Sequence, residues 1–103
     1  MKINVLGTDY VVITKGDAKG NDGYTDFTSK KIVVQEMTRE TGYEWEKLSV
    51  HEKRTIRHEL VHAFMHESGL CHNRDWGRDE TLVDWIALQA PKLFKAFKDA
   101  KAL

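Results

Sequence analysis

The stretch that decides the fold is residues 49–69, SVHEKRTIRHELVHAFMHESG. Ser49 and Glu52 stand three residues apart, the spacing of a capping box, in which each side chain satisfies a backbone N–H at a helix start. A helix is therefore expected to begin near Val50. Ile56, Leu60, Ala63 and Phe64 follow at helical intervals and define one buried stripe. Gly69 is a natural left-handed stop.

Inside that helix lies His58-Glu59-Leu60-Val61-His62, a complete HExxH pattern. Residues four apart on a helix share a face one turn apart, so two imidazoles can reach one metal ion. Glu59 projects about 100° around the helix from His58. Its carboxylate then stands beside the ion and can hold a water. Zinc lowers the pKa of such a water to about 7, and the carboxylate takes the proton. His58 and His62 are the expected ligands and Glu59 the expected general base.

Catalytic zinc sites usually have three protein ligands and an open position. His66 is a poor third ligand, because it lies about 12 Å along the axis from His58; a surface or rim position is expected for it. Glu80 is the preferred candidate. It opens a second predicted helix, and Asp84 follows one turn later on the same face. A carboxylate at 84 can accept a hydrogen bond from the far nitrogen of a ligand histidine and fix its tautomer. His72, beyond the Gly69 break, is the alternative third ligand; Asp75 and Asp79 are weaker ones.

Outward from the helix, residues 2–6 and 10–14 are rich in β-branched side chains around Gly7-Thr8-Asp9, which predicts a hairpin. Residues 15–23 carry loop chemistry. Residues 24–27 and 31–35 read as two more short strands, giving a mainly antiparallel sheet. After Gly69, a loop over 70–77 and a helix from about Arg78 to Gln89 are expected, with Leu82, Trp85, Ile86 and Leu88 apolar. Pro91 is expected to break or kink that helix before the pattern resumes at Leu93, Phe94, Phe97 and Ala100. Strands followed by helices indicate an α+β fold.

The 103 residues suit one domain, and the composition is ordinary for a globular chain, with 41% hydrophobic and 31% charged residues. One cysteine, Cys71, excludes an internal disulfide and a four-cysteine zinc site. It is read as a semi-buried structural residue. Sixteen basic and sixteen acidic side chains balance, spread over both halves, which argues against nucleic-acid binding by net charge. No apolar run suits a membrane span or a leader, so a soluble, cytoplasmic protein is expected. Lys92, Lys95, Lys98 and Lys101 read as a solvated helix face. Trp85 is expected to pack in or near the core. Trp45 and Trp76 are weaker candidates to contact a substrate.

HExxH followed by Glu80-Thr81-Leu82-Val83-Asp84 resembles the gluzincin arrangement of zinc metallopeptidases. It resembles more closely the ImmA/IrrE-like metallopeptidases, and among them small phage-type zincins. That family's second helix reads Glu-x-x-Ala-Asn/Asp-x-Phe-Ala, against ETLVDWIA here at 80–87, and its HELGHxxLH compares with HELVHAFMH at 58–66. Val61 and Val83 depart from it without removing a ligand. The resemblance covers about residues 24–91 and implies a minimal zincin, a small sheet packed on the HExxH helix. It implies Zn2+ held by His58, His62 and Glu80, Glu59 as base, Asp84 behind a ligand histidine, and a protein or peptide substrate. A regulatory partner is a further expectation for such a protein. His72 and Tyr43 are weak candidates to stabilise an oxyanion. The alternative is a non-catalytic zinc-binding module of a phage or mobile element. A SprT-like, nucleic-acid-associated protease is a third reading and requires His72 as ligand.

Overall fold

The computed structural model describes residues 1–43 and 47–103. Four strands come first: β1 (Lys2–Val5), β2 (Thr8–Gly16), β3 (Gly23–Asp26) and β4 (Lys31–Gln35). Helices α1 (Leu48–Glu67), α2 (Leu70–Asn73) and α3 (Glu80–Asp99) follow, with a 3-10 turn at Asp75–Arg78 between α2 and α3. The fold is α+β.

β1 and β2 form the expected hairpin, with Val5 opposite Thr8 across a two-residue turn. The sheet as a whole is mixed rather than mainly antiparallel, in the order β1-β2-β4-β3. β3 and β4 pair as a hairpin, and β4 then inserts beside β2 and runs parallel to it, Val12 facing Ile32. Parallel neighbours need a crossover of roughly a dozen residues or more, and residues 17–30 supply it. β3 thereby becomes an edge strand.

One face of the sheet carries the core. Val5, Tyr10, Val12, Ile32 and Val34 are buried together with Met37 and with Ala63 of α1, and Leu48, Ile56 and Leu60 pack against them. Leu48 also accounts for the early start of α1. Its packing draws the helix two residues upstream of Val50, so Ser49 sits in the first turn and Lys47, in a left-handed conformation, precedes the helix without a side-chain cap. The capping box is not formed. Phe64, expected in the buried stripe, is exposed, and Met65 is buried instead.

The far end of α1 is tied to the sheet by Glu67. Its Oε2 accepts from Tyr10 Oη at 2.7 Å and pairs with Lys30 Nζ at 2.9 Å. The Lys30 hydrogen bond, followed by that from Tyr10, holds the Glu67 carboxyl down at about 2. Gly69, at φ +83°, separates α1 from α2 as expected. The segment expected as a loop folds into α2 and the 3-10 turn.

α3 begins on Asp79, whose Oδ1 accepts from the N–H groups of Thr81 (2.8 Å) and Leu82 (3.3 Å). It packs on α1 through Val83 and Ala87, both buried and one turn apart. Trp85 lies about 200° around the helix from Val83 and is 53% exposed, not packed in the core. Leu88, Phe94 and Phe97 are exposed as well.

Pro91 does not break this helix. It lacks the N–H that would bond the Ala87 carbonyl four residues back. Arg57 Nε of α1 donates to that carbonyl at 2.6 Å instead. No helix among the described residues is long and apolar enough to cross a membrane.

Candidate metal centre

The α1–α3 packing brings the two halves of the sequence pattern together. His58 Nε2 lies 3.0 Å from Glu80 Oε2, and His62 Nε2 lies 2.8 Å from Glu80 Oε1. The two Nε2 atoms are 3.2 Å apart. Donors held about 2.0–2.2 Å from a tetrahedral zinc ion are separated by about 3.3 Å, so the three groups close slightly tighter than a zinc triad. Both histidine side chains are half-buried, whereas Glu80 is 67% exposed and reaches in from solvent.

The hydrogen bonding behind His58 orients its ring. His58 Nδ1 is 2.7 Å from Asp84 Oδ1. A carboxylate only accepts, so Nδ1 carries the proton and Nε2 of the neutral ring presents a lone pair. That lone pair faces the Glu80 carboxylate at 3.0 Å and the His62 ring nitrogen at 3.2 Å. A cation at the centre, or a proton on His62 Nε2, would bridge these groups. Two imidazoles and one carboxylate are the donor set of several catalytic zinc sites, and the residues fit that ion.

Glu59 occupies the position expected from its 100° offset. It is 7% exposed, with Oε2 3.9 Å from His58 Nε2. Its other oxygen accepts from the Thr25 hydroxyl at 2.9 Å. The contact is possible because β3 passes very close to α1 at Gly23. A Cβ there would stand 2.9 Å from Thr55 Cγ2, 3.1 Å from Val33 O and 3.3 Å from Glu59 Cγ. Thr25 and Gly23 carry no sequence signal of this role; they become neighbours of Glu59 only through the pairing that puts β3 at the sheet edge.

The other expected candidates lie elsewhere. Asp79 caps α3, and Asp75 sits in the exposed 3-10 turn. His72 does not join His58 and His62; it groups with His66 and Cys71. His66 is half-buried, further in than a rim position, with its ring stacked on Phe27 at 4.3 Å. Tyr43 donates to Asp22 Oδ1 at 2.6 Å, and His51 Nε2 lies 3.1 Å from Asp22 Oδ2. Burial first, and the Asp22 hydrogen bond second, push the Tyr43 phenol up to about 12. Trp76 is exposed on the 3-10 turn, and Trp45 lies outside the described residues.

Two clefts meet at the site. One, of about 370 Å³, runs past Asp22, His51, His58, Glu59 and Asp84. The other, of about 400 Å³, is walled by Tyr24, Thr25 and Phe27 on the β3 side and by His58, His62 and Glu80 opposite. No family model, curated protein or solved structure matches this chain.

Proposed function

We propose that the chain is a small zinc-dependent metallopeptidase of the gluzincin type, similar to the ImmA/IrrE-like enzymes. His58, His62 and Glu80 hold the ion. The observation that carries this reading is the convergence of the three groups on one point while Asp84 fixes the His58 lone pair toward it. When bound, zinc supplies Lewis acidity toward a carbonyl and acidifies water.

The chain's own residues do the rest. Glu59, dry and held by Thr25, accepts a proton from a water between it and the histidines, then returns it to the departing amine. Asp84 keeps His58 in the ligating tautomer. The β3 edge forms one wall of the cleft, and an edge strand suits an extended peptide added as a further strand. A protein or peptide segment is accordingly the substrate class.

The test is a zinc-loaded chain offered a mixture of unfolded polypeptides, compared with Glu59→Gln and Glu80→Ala. Cleavage by the wild type, its loss with zinc retained in Glu59→Gln, and loss of the ion at His58 and His62 from Glu80→Ala are expected. If the zinc-loaded wild type cuts nothing while Glu59→Gln binds zinc equally well, the non-catalytic zinc module replaces this reading. Stoichiometric zinc at the HExxH histidines of Glu80→Ala overturns the ligand set.

A further inference from the structure

Beyond the HExxH site, the described residues contain one more group of metal-binding side chains, formed by His66, Cys71 and His72. The geometry points to a second, independent site for a thiophilic d10 cation, Zn2+ above all, ligated by the Cys71 thiolate, His66 Nδ1 and a ring nitrogen of His72. This assignment does not depend on whether the chain hydrolyses peptides.

Distance is the first argument. Cys71 Sγ and His66 Nδ1 are 3.6 Å apart. A sulfur and a nitrogen bound to one tetrahedral zinc, at about 2.3 and 2.0–2.1 Å, stand about 3.5–3.6 Å from each other. His72 completes the set: its ring lies 5.0 Å from that of His66, and the three ligating atoms fall within 4.8 Å of one another.

Two of the donors are also held in place. The His66 ring is fixed by its near-parallel stack on Phe27, at an interplanar angle of 14°. Glu67 Oε2 stands 3.9 Å away on the Nε2 side. Cys71 is only 9% exposed. Gly77 packs directly on α2, so closely that a Cβ would collide with the Leu70 carbonyl, and this lid of 3-10 turn covers the residue that bears the thiol. His72 is exposed and closes the set from the solvent side.

Chemistry separates this group from the first. A thiolate with two imidazoles prefers Zn2+ or Cu(I) to the harder cations that a carboxylate-rich site tolerates. Binding displaces the thiol proton to solvent, with no redox step. The ion would sit roughly one helical turn, about 6 Å, beyond His62 along α1. A cleft of about 350 Å³ shared by Phe27, His62, His66, Cys71, His72 and Glu80 leaves room for a fourth, exchangeable ligand. The ion would clip α2 onto the end of α1.

The experiment is titration of the reduced, metal-free full chain with Co2+ and with Zn2+, for the wild type, Glu80→Ala, Cys71→Ser and His72→Ala, each checked for folding by circular dichroism. A near-ultraviolet thiolate-to-cobalt charge-transfer band is expected in the wild type and in Glu80→Ala, because only Cys71 supplies sulfur. It should vanish in Cys71→Ser and weaken in His72→Ala. Zinc stoichiometry should fall by one equivalent in Cys71→Ser, and by a different one in Glu80→Ala. Absence of the band from the folded wild type overturns the site. So does an unchanged zinc stoichiometry in Cys71→Ser. Failure of the HExxH reading alone would show as an unaltered stoichiometry in Glu80→Ala with the band intact.

Discussion

Arg57 Nε stands 2.6 Å from the Ala87 carbonyl oxygen, the acceptor that Pro91 leaves without a backbone donor. A side chain of one ligand-bearing helix thus completes the backbone of the other. Arg57→Ala strands a buried carbonyl, and a charge-assisted bond of this kind contributes about 1.5–3 kcal/mol. A loss of that order in denaturant unfolding is expected. Pro91→Ala restores the N–H, so in that background Arg57→Ala should cost much less. Equal costs in both backgrounds would refute the compensation.

Asp84 accepts from His58 Nδ1 and is otherwise exposed. On the metal reading, Asp84→Ala frees the ring to rotate and to carry its proton on Nε2. Partners behind ligand histidines are typically worth 10–100-fold in metal affinity. Zinc affinity by chelator competition should drop within about that range, with little change in unfolding midpoint of the metal-free chain. An unchanged affinity would remove Asp84 from the site.

Gly23 is where β3 meets α1. Gly23→Ala forces a methyl against Val33 O, which is backbone and cannot turn aside, and against Thr55 and Glu59. Overpacking of this sort costs about 1–3 kcal/mol. Lower thermal stability is expected. If Glu59 is the base, cleavage should fall further than zinc affinity does, since Glu59 is displaced while His58 and His62 are not touched. A fully stable, fully active variant would show that the close approach is unimportant.

Asp26 turns the β3–β4 hairpin by accepting from the N–H groups of Ser29 and Thr28, both at 3.0 Å. The backbone hydrogen bond from Ser29 leads in holding its carboxyl below the ordinary value. A lowered folded pKa contributes stability that is complete above the ordinary carboxylate range and disappears as pH falls through the lowered value. Asn keeps an acceptor oxygen but cannot titrate. As pH falls below the ordinary carboxylate range, the wild type should therefore lose more stability than Asp26→Asn in urea melts at stepped pH. Parallel profiles would contradict this.

The sequence announces whatever is local along the chain. The HExxH spacing, the apolar stripe through Ile56 and Leu60, and the Glu80–Asp84 step are all set by one helical repeat, and all could be read directly. What depends on partners distant in sequence stayed hidden. Nothing in residues 31–35 says that β4 lies parallel beside β2, and so nothing marks Thr25 or Gly23 as neighbours of Glu59. Pro91 looked like a break because its remedy, Arg57, lies 34 residues upstream. Trp85 looked like core because it stands at helical spacing between Leu82 and Leu88, whereas the helices approach through Val83 and Ala87. His66 lies too far along the helix from His58 to join its group with Glu80, yet the turn after Gly69 brings Cys71 and His72 to it.

The ligand-bearing residues are split between α1 and α3, and neither helix holds the full set. On the metal reading, affinity for an ion at His58, His62 and Glu80 is a property of the tertiary structure and much weaker in the unfolded chain. Free zinc would then be a gauge of folding: at a hundredfold excess over Kd it adds up to about 2.7 kcal/mol to unfolding. In a chain of this size that is a large share of the total. On the metal reading, a cell that withholds the ion would shift the balance between intact protein and material open to degradation, and abundance itself would report on metal supply.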